Sequence, residues 1–211
     1  RIQTKKRKIK QKDGTIETVA RVTKPMRADH TKLNAQALKN EVYLFADRYK
    51  LTRALVLSII KNESSFNPRA HSPANAFGLM QLVPTSGGRD AYTFLLKKDS
   101  TPSPAYLYVP DQNVELGSIY LHILMSRYFG DVKNLVSRRY CVISAYNTGA
   151  GNVAKAFGAG SNPQKAVKAI NKMSPQQVFN TLEKKLPFNE TRVYLQRVTR
   201  DLTLFQDWDV T

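Results

Sequence analysis

The segment Thr52–Asn62 constrains the chain most. Ala54, Leu55, Val56, Leu57, Ile59 and Ile60 follow one another with almost no polar break, so the segment reads as a helix buried by its neighbours. Val56, Ile60 and Glu63 fall on one face at spacings of four and three, so the apolar face ends on a carboxylate just before Pro68. Two effects raise the pKa of a glutamate so placed: partial desolvation disfavours the anion, and the negative end of the helix dipole repels it. Such a residue can stay protonated near neutral pH and act as a general acid. The competing reading is a last-turn glutamate whose head group reaches solvent.

The flanking segments predict a mainly α fold. Leu38, Val42, Phe45 and Tyr49 make one helical stripe, and Thr52 can cap the helix that follows. Residues 67–110 carry six of the ten prolines together with Gly78, Gly87 and Gly88, which predicts loops broken by short helices, the kind of structure that lines sites. Asp111 is expected to cap a helix with Gly117, Tyr120 or Leu121, Leu124 and Tyr128 along one side. Another helix is expected from about Ser137 into Tyr146, ended by Asn147-Thr148-Gly149-Ala150-Gly151. Ser161-Asn162-Pro163 and Ser174-Pro175-Gln176-Gln177 are helix starts, the second a capping box. A last helix follows Asn189, with Tyr194, Val198, Leu202 and Phe205 as its buried stripe. Residues 1–24 alternate around Asp13-Gly14 as a short β-hairpin, and residues 1–28 read as the end of a preceding domain or a linker. The helical domain then runs over 29–211. Neither a repeat nor a heptad run is present.

The net charge of +17 favours polyanionic partners, among them nucleic acid, anionic lipid headgroups and acidic wall polymers, and residues 1–24 alone hold nine basic residues against two acidic ones. A solvated basic face without a specific partner is the alternative. No nucleic-acid motif accompanies the charge, so nucleic acid is not an expected partner. Cys141, the only cysteine, sits among Tyr140, Val142 and Ile143 and reads as a small buried hydrophobe. His30, His71 and His122 lack metal-ligand spacing, and neither metal nor cofactor is expected. No apolar run is long enough to span a bilayer. The chain opens on Arg1 without a signal-peptide core, and is expected to be a processed or trimmed piece.

Four blocks in order resemble the lytic transglycosylases of the goose-type lysozyme superfamily, most closely the membrane-bound C-type group. They are Glu63-Ser64-Ser65-Phe66-Asn67-Pro68 with Ala70 and Ser72; Ala76-Phe77-Gly78-Leu79-Met80-Gln81 with Pro84; Ala145 through Gly151 with Val153; and Pro187-Phe188-Asn189-Glu190-Thr191-Arg192 with Tyr194. The likeness covers roughly residues 30 to 205 and implies a lysozyme-like helical domain. It also implies cleavage of the β-1,4 bond between N-acetylmuramic acid and N-acetylglucosamine in peptidoglycan, leaving 1,6-anhydromuramyl ends. By the same resemblance Glu63 is the catalytic acid and then base.

The resemblance further implies that Ser72, Gly78, Met80, Gln81, Tyr146, Asn147, Glu190 and Tyr194 contact substrate, while Ser64 and Phe66 shape the site. Met80 can be core or groove lining, with groove the favoured reading. Glu190 can orient Tyr146 or substrate, pair with Arg192, or serve as a helix N-terminal charge. A hydrolytic muramidase would need a second acid, for which Asp90, Asp99 and Asp111 are the nearest candidates in sequence. The remaining alternative is a non-catalytic glycan- or polyanion-binding module. The family setting implies peptidoglycan strands as partner, anionic membrane or wall polymer as a further contact, and a periplasmic, outer-membrane-associated location reached through a region absent from this chain.

Overall fold

The computed structural model describes residues 3–10, 15–23 and 30–210. The chain divides into two units, residues 1–36 and 37–211, a boundary further along than the 28/29 junction read from the sequence. In the first unit β1 (Gln3–Lys10) and β2 (Ile16–Thr23) pair antiparallel, Gln3 opposite Thr23 and Lys10 opposite Ile16, before α1 (His30–Ala37) begins. The turn expected at Asp13-Gly14 lies outside the described residues.

The second unit is mainly helical: α2 (Lys39–Arg48), α3 (Arg53–Ser64), α4 (Gly87–Leu96), α5 (Pro104–Leu107), α6 (Pro110–Ile123), α7 (Leu135–Thr148), α8 (Ala150–Ala156), α9 (Pro163–Ile170), α10 (Pro175–Lys185) and α11 (Asn189–Asp201). The chain closes in two 3₁₀ turns, Leu202–Leu204 and Gln206–Asp209. Among the described residues no helix is long and apolar enough to cross a membrane.

The element at the centre is α3. Every residue from Ala54 to Ile60 is at most 4% exposed, so the helix is enclosed on all sides, by α2, α11 and the closing turns. Each buried Leu, Ile or Val contributes about 1.5–3 kcal/mol relative to exposure. Its start is fixed by Thr52, whose side chain accepts from the Leu55 amide at 3.3 Å. Its end comes from two consecutive left-handed residues, Ser65 (φ 51°) and Phe66 (φ 67°), reached before Pro68 can act. A bulky residue is strained in that region. Phe66 is held there by an edge-on contact with Phe205, ring centroids 6.4 Å apart.

Several helix starts match their sequence signals. Ser174 forms the expected capping box with Gln177, and Asn162 caps α9 ahead of Pro163. Two differ. Asp111 does not cap α6: the helix opens on Pro110, which supplies the fixed φ of a first position, and Asp111 falls within the first turn. Helix α7 starts before Ser137 because Asn134 accepts from the amides of Val136 and Ser137 at 3.0 and 3.1 Å. At its far end α6 continues as a π turn, Leu124–Tyr128, which the 3.6-residue pattern did not foretell. The buried stripe of α11 runs Thr191, Tyr194, Leu195, Val198 and Asp201; Leu202 and Phe205 lie beyond the helix.

Candidate active site

Helices α3, α7 and α11 and the loop 72–87 border a groove of about 900 Å³. Glu63 reaches it from the last turn of α3. The side chain is half-buried, packed round by protein yet open on one side to the groove. Desolvation pushes its pKa up from 4.5 to about 7; a hydrogen bond from Tyr194 pulls the other way, and the negative charge of Glu190 adds to the rise. The Tyr194 hydroxyl donates to Glu63 Oε1 at 2.6 Å. Near neutral pH Glu63 is therefore divided between its acid and its carboxylate forms.

Tyr194 stands on α11 and is 8% exposed. Burial and the neighbouring Glu63 carboxylate raise its pKa well above the usual tyrosine value, so it remains a neutral donor. Tyr146, on α7, is raised in the same direction by burial, then by Glu63 and Tyr120. Its hydroxyl donates to the Met80 carbonyl at 2.8 Å, and its ring lies 5.4 Å from that of Tyr120. Tyr146 is thus tied to the loop that carries Gln81. Asn147 lines the groove too, where its Oδ1 accepts from Thr191 Oγ1 at 2.7 Å and joins α7 to α11.

The loop from Ser72 to Leu82 is held by its own polar groups. Ser72 Oγ accepts from the Ala76 amide at 3.1 Å, and Gln81 Nε2 donates to the carbonyls of Ala70 and Gly78 at 3.1 and 2.9 Å. Ser72 and Gln81 both line the groove. Asn113 on α6 binds the same loop from behind: fully buried, it accepts from the Met80 amide at 2.8 Å and donates to the carbonyls of Phe77 and Leu107 at 2.9 and 2.8 Å.

The predicted residues thus separate into two sets. Glu63, Ser72, Gln81, Tyr146, Asn147, Glu190 and Tyr194 meet in one groove. Met80 does not: its side chain is 0% exposed and packs into the core, where a Cβ on Gly117 would come within 2.2 Å of its sulfur. Gly78 is also away from the groove surface. Its φ is +77° and a Cβ there would meet the Leu107 carbonyl at 2.2 Å, so it serves close backbone approach rather than substrate contact. Ser64 donates to the Ile60 carbonyl at 3.1 Å and Phe66 packs on Phe205, so both act on the end of α3 and not on the groove wall.

Residues 44–169 match the family described as Transglycosylase SLT domain. The chain belongs to that family. Two curated relatives named membrane-bound lytic murein transglycosylase C agree. The one from Haemophilus influenzae (strain PittEE) is 41% identical over 87% of this chain and 50% of its own length; the one from Yersinia pestis (strain Pestoides F) is 40% identical over 90% and 52%. The chain spans about half the length of the curated relatives it matches. Among solved structures, an inactive glutamate-to-glutamine form of the lytic transglycosylase Slt from Pseudomonas aeruginosa is 26% identical, with a TM-score of 0.61, over 80% of this chain and 24% of that one.

Among the described residues, Glu63 and Glu190 are the carboxylates that line the groove, Glu63 inside the matched SLT segment and Glu190 beyond it. Asp90, Asp99 and Asp111 do not; Asp99 instead pairs with Arg89 at 2.5 Å. Arg192 donates to the Leu186 carbonyl at 2.8 and 2.6 Å, so its guanidinium is turned onto backbone and the Glu190–Arg192 pair weighed from the sequence is not formed. Sequence reasoning did not single out Asn113 or Arg197 and took Tyr120 or Leu121 only as part of a helical stripe; Tyr120 and Arg197 line the groove. Among the described residues no group of three or more His, Cys, Asp or Glu is placed to hold a metal ion.

Proposed function

We propose that this SLT domain is a peptidoglycan lytic transglycosylase that cuts the β-1,4 bond from N-acetylmuramic acid to N-acetylglucosamine. One observation carries the reading: a glutamate poised near pH 7 on the groove, with a neutral tyrosine hydroxyl on its carboxylate. Glu63 protonates the glycosidic oxygen as the bond to the anomeric carbon breaks. The resulting carboxylate then takes the proton of the muramyl 6-hydroxyl while that oxygen closes on the anomeric carbon, so the acid is restored and a 1,6-anhydro ring is left. The substrate's own acetamido group stabilises the oxocarbenium-like centre in place of a second carboxylate. Ser72, Gln81, Tyr146 and Asn147 contact the sugars, and Glu190 keeps Glu63 protonated. The names of the relatives, and the inactivity of the glutamate-to-glutamine Slt, support this assignment.

The lysozyme-like class of the helical unit, and the reading of residues 1–28 as a β segment that ends a preceding domain or serves as a linker, belong to the same proposal. So do a periplasmic, outer-membrane-associated location and contact of the basic surface with anionic membrane or wall polymer, which the relatives' membrane-bound names support. Mass spectrometry of the soluble products from isolated peptidoglycan tests the chemistry. Anhydromuramyl ends from wild type but not from Glu63→Gln are expected. Reducing ends would make the protein a muramidase, and a fully active Glu63→Gln would remove Glu63 from the mechanism.

A further inference from the structure

Next to Glu63 is a cluster that the proposed chemistry does not use, of which Asn62 also lines the groove. Asp201, the last residue of α11, is a carboxylate only 1% exposed. Its Oδ2 accepts from Lys61 Nζ at 2.5 Å and from Asn62 Nδ2 at 3.0 Å, and its Oδ1 accepts from Arg200 Nε at 3.1 Å. Asn62 Nδ2 also donates to the Ser58 carbonyl at 2.9 Å. Desolvation by itself would raise the Asp201 pKa, yet the hydrogen bonds from Lys61, Asn62 and Arg200 bring it below the usual aspartate value, so the group is charged at neutral pH.

The placement gives this cluster a role. Lys61 and Asn62 are the two residues just before Glu63, in the turn that ends at the strained Ser65-Phe66 pair. Asp201 follows Tyr194 by seven residues, two helical turns, so both stand on the face of α11 that meets α3, with the fully buried Val198 between them. The final turn of α3 is thereby gripped at two points by one helix. One is the Tyr194–Glu63 bond; the other is the Asp201 clasp on Lys61 and Asn62. A helix end followed by two left-handed residues lacks the continuing backbone ladder that would otherwise fix its direction.

We infer that Asp201 is a positioning residue: it clasps the last turn of α3 to α11 and so holds Glu63 against the Tyr194 hydroxyl. The inference extends the proposed function, but its test does not depend on lytic activity. The groups that face Glu63 are Tyr194 and Glu190 from α11 and Tyr146 from α7; those that face Asp201 are Lys61, Asn62 and Arg200. Loss of the Asp201 negative charge, acting through space alone, would lower the pKa of Glu63. Release of the Tyr194 bond would raise it, because that bond favours the anion. The two explanations have opposite signs.

The experiment is a titration of the Glu63 carboxyl carbon by NMR in protein with ¹³C-labelled glutamate. It is run on wild type, Asp201→Asn, Tyr194→Phe and the double variant, with Glu63→Gln assigning the signal. Tyr194→Phe is expected to move the midpoint up by about one pH unit or more, the loss of one hydrogen bond to a charged group. Asp201→Asn is expected to move it up by about half a pH unit to one, and to add nothing in the Tyr194→Phe background. Asn62→Ala, which cuts one arm of the clasp without changing charge, is expected to move it the same way and keeps the test open if Asp201→Asn does not fold. An unchanged or lowered midpoint in both Asp201→Asn and Asn62→Ala, or equal displacements with and without the Tyr194 hydroxyl, would overturn the inference. On peptidoglycan, Asp201→Asn should reduce kcat about tenfold with KM little changed. Absence of any lytic activity in wild type would count against the proposed function and leave the titration to decide the clasp.

Discussion

Replacing Glu63 by Gln should make the protein more stable, by an amount that grows as pH rises from about 4.5 towards 7 and is level above that. In the folded protein the carboxyl titrates at about 7, against 4.5 for the free group. Between those values the unfolded chain has released a proton that the native state still holds, so stability falls as pH rises. A carboxyl whose folded and unfolded midpoints lie one pH unit apart contributes about 1.36 kcal/mol, and the separation here gives about 3 kcal/mol in all. The loss is absent below the unfolded value and complete above the folded one. A glutamine in the same place resembles the protonated acid, can still accept from the Tyr194 hydroxyl through its amide oxygen, and has no charge to desolvate. Urea unfolding at about pH 4 should therefore show the two proteins within about 0.5 kcal/mol, and at about pH 8 the variant ahead by about 3 kcal/mol. Titrating groups that do not interact with Glu63 cancel in the comparison. A gap that does not change with pH would refute the argument that burial holds the acid protonated. Over the same change the lytic rate should fall by about 10²- to 10⁴-fold, the usual contribution of proton transfer.

Glu190→Gln removes a negative neighbour, so the alkaline limb of activity should move to lower pH, with a loss of rate smaller than that of Glu63→Gln; a pH–rate profile checks it. Asn113→Ala leaves the Met80 amide and the Phe77 and Leu107 carbonyls without their buried partner, and should cost at least about 3 kcal/mol in urea unfolding. Gly78→Ala forces a Cβ onto the Leu107 carbonyl at a positive φ, and a melting temperature lowered by several degrees, about 4 °C or more, is expected.

What the sequence made legible was local. The apolar run from Ala54 to Ile60, the Thr52 cap and the spacing of Val56, Ile60 and Glu63 all lie within a dozen residues, and each reappears in α3 as read. The upward displacement of the Glu63 pKa follows from the desolvation expected. The groups that modulate it, Tyr194 and Glu190, are set by a helix more than a hundred residues away. Met80 shows the limit of motif reading. A motif places the residue beside Gln81, but which of the two faces the groove is decided by Gly117 on α6, whose missing side chain makes room for the Met80 thioether. Asn113 and Asp201 left no signal, because an isolated asparagine in a helix and an aspartate near a chain end are ordinary on the surface. Only the packing of α6 and α11 makes each the hinge pin of a buried contact network.

Cys141, enclosed in α7 at 0% exposure with its thiol pKa raised by burial, has a practical corollary. The thiolate that reacts with disulfide reagents is suppressed twice over, by access and by ionisation. The native protein should therefore be silent to thiol labelling until the core around α7 opens, and the slow labelling rate becomes a direct clock for that opening. A single cysteine introduced at the exposed Phe188 on the groove rim could then carry a fluorophore selectively, with the natural thiol left in place, to report glycan strands as they enter.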